Sequence, residues 1–302
     1  MELRQLKSFI AVAEELHFGR AAQRLYITQP GLSMQISSLE ETLGVALFRR
    51  EHRAVELTAA GRYLLPEARA LLQHAERILR STKLATDRGP SGVLRLGYTP
   101  SVEIALLPGI LRAIRDHHPN IEFCLHSLPT PRQIVALQNN VIDMALVRLP
   151  LNPVVPVLDV SLIGSEPLVC AIPSGHRLAG RSSLTVAAIR NEPLVLFQRD
   201  VAPEAYDRII QAFRAGGSAP VIAYEVEGLQ ASLSLVCAGL GIALVPGTAQ
   251  AVPREGVRFV PIHKPRLTLE LGLATRRDFH EDPLLRVASE IIHRTAKEVY
   301  SK

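Results

Sequence analysis

The sequence predicts an α/β chain in two parts. The first is an N-terminal winged helix-turn-helix domain with a long linker helix, and the second is an α/β domain of two subdomains. Three observations predict it: two short helical patterns joined by a tight turn between Phe18 and Leu43, a near-heptad helical pattern from Ala59, and strand-helix-strand alternation from Val93. The expected boundaries are 1–58, 59–88 and 89–302, with the last part divided into 93–163 plus 266–302 and 164–265.

Leu3 to Leu16 predicts the first helix, with Leu6, Phe9, Ile10, Ala13 and Leu16 on its buried face. Ala21, Ala22 and Leu25 give the next helix a face small enough for close crossing. The turn falls at Tyr26-Ile27. Thr28 is placed to cap a further helix, and Pro30 stands in its first turn, where a missing N–H costs nothing. Leu32, Ile36, Leu39 and Leu43 recur at helical spacing and predict the core face. Pro30, Met34, Ser37 and Glu41 lie opposite. The N-terminal part of that outer face carries no charge, as a helix entering the major groove requires. Spacing alone also suits an ordinary helical hairpin in a core.

Val45-Ala46-Leu47-Phe48 is expected to pack inward. Arg49, Arg50, His52 and Arg53 then form a basic run between short extended pieces. It reads either as a wing on the DNA backbone or as a solvated charged turn. Thr58 is expected to cap a helix over 59–85. Its Leu64/Leu65, Leu71/Leu72 and Ile78/Leu79 pairs suit helix-to-helix dimerisation, or else a helix lying on its own domain. Residues 87–92, with Gly89, Pro90 and Gly92, predict a hinge.

Strands are then expected at 93–98, 121–126 and 142–147, with a loop at Thr99-Pro100-Ser101, a helix from there to about His117 and another after Thr130. Ligands of such parallel sheets bind beyond the carboxyl ends of the strands. Ser101, Thr130 and Arg148 fall there, and two hydroxyls with a guanidinium make a carboxylate cradle. Taken singly, the hydroxyls are also simple helix caps and the arginine a surface charge. A second subdomain is expected from Gly164, with strands at 168–172, 194–197, 221–226 and 242–245 and a helix over 229–238. A strand at 267–275 and a helix at 282–299 return to the first.

The wording from Leu3 to Gly61, LRQLKSFIAVAEELHFGRAAQRLYITQPGLSMQISSLEETLGVALFRREHRAVELTAAG, resembles the N-terminal domain of LysR-type transcriptional regulators. IDMALVRLP (142–150), EVEGLQASLSLVCAGLGIALVP (225–246) and Leu107-Pro108 resemble that family's effector domain, whose architecture is like that of periplasmic binding proteins. EELHFGRAA (14–22) and Arg148-Leu149-Pro150 look like the branch that senses aromatic acids and their ring-cleavage products. The resemblance implies base reading by Gln29, Pro30, Ser33 and Met34, and backbone contacts by Thr28, Gln35, Ser38 and Arg53, with Arg50 in the same wing. It implies an effector site of Thr99, Ser101, Thr130 and Arg148 facing Phe197, Pro203, Glu227 and Leu229. Two departures stand out. Met34 occupies a position where arginine is common, so guanine preference at that base is expected to fall. Gly31 occupies one where a larger residue is usual.

The implied partners are double-stranded DNA at an inverted repeat, RNA polymerase, a small organic anion and further copies of the chain, as a homodimer or homotetramer. No cofactor and no membrane are expected. The reading is thus a cytoplasmic regulator, activation being the leaning of the family. The alternative is a cytosolic small-molecule binding protein without a regulatory role.

Composition is compatible with this reading. Net charge is +5, and residues 1–88 hold 13 Lys and Arg against 10 Asp and Glu, which permits DNA binding without requiring it. Cys124, Cys170 and Cys237 have no metal-ligand spacing and are expected to be buried free thiols. No G-x-S-x-G, P-loop or H-E-x-x-H occurs, so no enzyme is expected. No run of 18 apolar residues occurs, and the N-terminus lacks a signal-peptide core.

Overall fold

The structure, a computed structural model, describes residues 1–51, 54–84, 91–251 and 253–300. The chain divides into two compact units, Met1–Asp87 with Asn139–Val141, and Arg88–Gln138 with Ile142–Lys302.

The first unit opens with α1 (Leu3–Glu15), α2 (Phe18–Arg24) and α3 (Gln29–Leu43). The antiparallel hairpin β1 (Phe48–Glu51) and β2 (Ala54–Leu57) follows, then α4 (Ala59–Leu84). Leu6, Phe9, Val12, Ala21, Ala22, Leu32, Ile36, Leu39 and Leu47 are buried together and make its core. The caps are local. His17 Nδ1 accepts from the backbone N–H groups of Gly19 and Arg20, and Thr58 Oγ1 accepts from that of Gly61.

Four expected core positions are instead exposed: Leu16, Leu43, Val45 and Ala46. Each follows the last helical turn that the core can cover. Leu16 is the left-handed C-cap of α1 (φ 47°). Leu43 directly precedes Gly44, which turns the chain at φ 69°, a conformation glycine adopts without a Cβ clash. The chain is then held by Glu40, whose Oε1 accepts from the N–H groups of Leu47 (2.7 Å) and Phe48 (3.2 Å).

The second unit contains one ten-stranded sheet. In chain order its elements begin β3 (Gly92–Tyr98), α5 (Leu107–His117), β4 (Ile121–Ser127), α6 (Thr130–Gln138), β5 (Met144–Leu149) and β6 (Leu158–Pro173). Next come β7 (Leu184–Thr185), α7 (Val186–Ile189), β8 (Pro193–Phe197), α8 (Pro203–Ala215), β9 (Val221–Val226) and α9 (Leu229–Cys237). The unit ends with β10 (Ile242–Pro246), β11 (Val257–Lys264), β12 (Thr268–Arg276) and α10 (Pro283–Tyr300). The path is β4-β3-β5-β12-β6-β10-β8-β9. β3 pairs in parallel with β4 and β5, and β8 pairs in parallel with β9 and β10.

The two halves have separate cores. In one, α5 and α10 cover Leu94, Leu96, Leu146 and Leu273; in the other, α8 covers Leu168, Leu194 and Leu244. The sequence predicts a fresh strand at Leu168. The structure instead has β6 running unbroken from Leu158, paired with β12 over its first part and with β10 and β11 over its last. It crosses from one half to the other as a single strand. Gly164 is required on the way, because a Cβ there would run into the ring of Tyr300. The helix expected after Ser101 is also shorter. Residues 100–102 form one 3-10 turn, and α5 begins only at Leu107. The strand β11 and the helices α7 and α8 were not expected from the periodicity.

Candidate DNA-reading surface and ligand cavity

Thr28 caps α3, its Oγ1 accepting from the N–H of Gly31 at 3.3 Å. Pro30 sits in the first turn. Gln29, Pro30 and Met34 are exposed, Met34 by 71%, and Ser33 is half-buried beside them. The outer face is therefore neutral and free of capping duties, apart from Thr28. Gln35 and Ser38 differ. Gln35 Oε1 accepts from Ser8 Oγ (2.6 Å), and Ser38 Oγ accepts from Gln5 Nε2 (3.0 Å). Both bonds hold α3 to buried positions of α1, a use that spacing on α3 alone does not reveal.

In the hairpin, Arg49 is exposed and Arg50 lies opposite Val55 by its backbone register. Arg53 and His52 lie outside the described residues, as do the Arg50 side chain and residues 87–90 of the hinge expected at 87–92. On α4 the expected leucine pairs divide. Leu64, Leu65 and Leu72 pack on the core of the first unit, whereas Leu71, Ile78 and Leu79 are exposed.

A cavity opens to solvent in the second unit. One end is polar, formed by Thr99, Ser101 and Arg148. The other is mostly apolar, with Phe197, Val201, Ala202, Ala205, Leu229 and Leu244 beside Glu227. The ring of Phe197 is set edge-on against Tyr206 at 6.0 Å. Tyr206 is held in turn by donating to Glu225 at 2.7 Å, and burial together with that carboxylate pushes its hydroxyl up to about 12.

Arg148 is not the surface charge that one sequence reading allows, nor does it stand after its strand. It lies within β5 opposite Leu271 of β12, and is 5% exposed. Its Nη2 donates to Glu166 Oε1 and to Ser101 Oγ, both at 2.8 Å, and its Nε reaches the same hydroxyl at 3.3 Å. Glu166, on β6, is equally buried. Its second oxygen accepts from the backbone N–H (3.2 Å) and Oγ1 (2.6 Å) of Thr248, just after β10. Arg148 Nη1 is buried and has no hydrogen-bond partner. A guanidinium donor taken out of water in this way favours an acceptor that enters the cavity.

Two expected site residues stand elsewhere. Thr130 is buried and accepts from the backbone N–H of Arg148 (3.1 Å), so it positions the arginine without lining the cavity. Pro203 opens α8, and its neighbours Val201, Ala202 and Ala205 supply that wall. Glu166, Thr248 and Tyr300 were not anticipated. Burial raises the Tyr300 hydroxyl to about 12, with Glu166 adding to the shift and Arg148 opposing it. No spacing rule links these three positions to Arg148.

Among the described residues, no group of three His, Cys, Asp or Glu side chains could hold a metal ion, and no helix is long and apolar enough to cross a membrane. All three cysteines are free thiols. Only Cys170 is buried as expected; Cys124 is half-buried and Cys237 exposed.

Comparison with known proteins finds likenesses across both units. Residues 3–62 match the model of the bacterial regulatory helix-turn-helix protein, lysR family, and residues 87–297 match that of the LysR substrate binding domain. The chain is 38% identical over 287 residues to the HTH-type transcriptional regulator AlsR of Bacillus subtilis, covering 95% of this chain and 93% of that one. It is 37% identical to ClcR of Pseudomonas putida, covering 95% and 96%. The crystal structure of full-length CbnR complexed with its target DNA is similar at a TM-score of 0.75 and 32% identity, covering 98% of this chain and all of that one.

Proposed function

We propose a function from one premise: the chain belongs to the LysR family of bacterial helix-turn-helix regulators, a family of DNA-binding transcriptional regulators and not of enzymes. It acts in the cytoplasm as a homodimer or homotetramer on an inverted-repeat site in double-stranded DNA. The exposed Leu71, Ile78 and Leu79 of α4 support pairing of two such helices. Gln29, Pro30, Ser33 and Met34 read bases. Thr28, Arg50 and Arg53 contact the backbone, whereas Gln35 and Ser38, expected to do the same, are bonded to α1. RNA polymerase is the further partner, and activation the regulatory outcome.

The switch is a small organic anion, an aromatic carboxylate or a ring-cleavage product, bound in the cavity of the second unit. The observation that carries this reading is the buried, unpartnered Arg148 Nη1 at the polar end of an otherwise mostly apolar cavity. An aryl or diene body suits the Phe197 and Leu229 wall, and a carboxylate suits the arginine and Ser101. Binding shifts DNA-bound states only if the anion prefers one of them.

A thermal-shift series of benzoates, salicylates and muconates with aliphatic controls tests the reading. A ligand at 100 times its Kd adds about 2.7 kcal/mol of stability. A hit that weakens in Ser101→Ala supports the cavity; a hit indifferent to Ser101 sinks this assignment. Salt-dependent binding to duplex DNA, lost in Ser33→Ala combined with Arg53→Ala, tests the reading surface.

A further inference from the structure

The turn between α2 and α3 is closed by two backbone bonds, from the Tyr26 N–H to Gln23 O (3.1 Å) and from the Ile27 N–H to Ala22 O (3.0 Å). Closing it puts Tyr26 at φ 55°, in the left-handed region. A bulky L-residue is disfavoured there, since its Cβ crowds the backbone, and Gly or Asn is the ordinary choice. The same unit uses glycine at another left-handed turn, Gly44. Leu16 also takes a positive φ, but about half of its surface is covered, so packing offsets part of the cost. Tyr26 has no such compensation, for its side chain is 96% exposed.

The position of this residue gives the strain a use. Tyr26 immediately precedes the exposed set Ile27, Thr28, Gln29 and Pro30, which leads into the reading end of α3. Backbone strain kept where folding gains nothing from the side chain marks a functional position. A tyrosine hydroxyl there is a neutral donor of the kind that positions proteins on phosphates, and its ring is stiff enough to hold a register.

We propose that Tyr26 is a positioning residue for DNA binding, its hydroxyl donating to a backbone phosphate beside the entry of α3. The contact reads no base. It fixes the depth and angle at which Gln29, Ser33 and Met34 meet the groove. Being uncharged, it releases no counterion when formed.

The test uses the full chain and a duplex recovered by in vitro selection with the wild-type protein. Tyr26→Phe keeps the ring and the backbone conformation and removes only the donor. It is expected to leave Tm within about one degree and weaken binding about tenfold. The loss should be similar on the selected duplex and on a scrambled one, with the slope of affinity against salt unchanged. Tyr26→Asn relieves the backbone, so its Tm should rise by roughly 4 °C while its affinity falls at least as far. Wild-type affinity in Tyr26→Phe overturns the proposal. So does a loss confined to the selected duplex, which would make Tyr26 a base reader, or a Tm that falls in Tyr26→Asn. Failure of the wild-type chain to bind any duplex overturns the DNA-reading surface itself, and this contact with it.

Discussion

The reading end of α3 and the Arg148 corner of the cavity are built in opposite ways. On α3 the side chains proposed to read bases are exposed, Met34 above all, and the fold leans on the far side of the helix through Leu32, Ile36 and Leu39. At the cavity the arginine and its glutamate are buried, and each is already bonded within the protein. Function and stability are therefore separable at the first site and joined at the second. A surface that reads many sequences can vary without cost to the fold, whereas a desolvated charge must keep its partner.

The largest expected effect tests the joined site. Glu166→Ala leaves Arg148 buried without its carboxylate and should destabilise the second unit by about 3–5 kcal/mol. Thermal unfolding measures this directly, and a wild-type Tm would mean that the ion pair is not what holds the corner. On the other unit, Leu32→Ala removes a fully buried side chain beneath the reading face and should cost about 3 kcal/mol. The loss should appear in the unfolding of the first unit while effector binding persists. Thr28→Ala removes the cap of α3 and should cost about 1 kcal/mol. If the cap also orders the entry to the groove, affinity for DNA falls with it.

The sharpest form of the contrast is the smallest in stability. Met34→Arg, on an exposed neutral face, should change stability by less than about 0.5 kcal/mol. It should nevertheless shift base preference toward guanine at one position, by about 1–3 kcal/mol of discrimination. Selection from random duplexes checks this. An unchanged preferred sequence would remove Met34 from the reading set.

Much of the first unit was legible because its signals are local. The Thr28 cap, Pro30 in the first turn, the 32/36/39 stripe and the Thr58 cap each involve residues within a few positions of one another, where helix geometry dictates who meets whom. Strand-helix alternation likewise gave the parallel β4-β3-β5 group and placed Ser101 and Arg148 at one end of it. Periodicity could not say where a stripe ends. Leu43 keeps the rhythm of Leu32, Ile36 and Leu39 yet is exposed, because the core is finished one turn earlier.

The sequence by itself determined most of the elements, the neutral outer face of α3 and the family. Only the tertiary structure decided how their side chains are used. Gln35 and Ser38 turn to α1 because Ser8 and Gln5 are there to meet them. Thr130 serves the backbone of Arg148 instead of the cavity. Arg148 finds Glu166 eighteen residues away, and Glu166 finds Thr248 eighty-two residues further on, because β6 runs through both halves of one sheet. Such pairs have no spacing in the chain. They are set by strand order and burial, and a desolvated charge selects whichever partner the fold brings within reach.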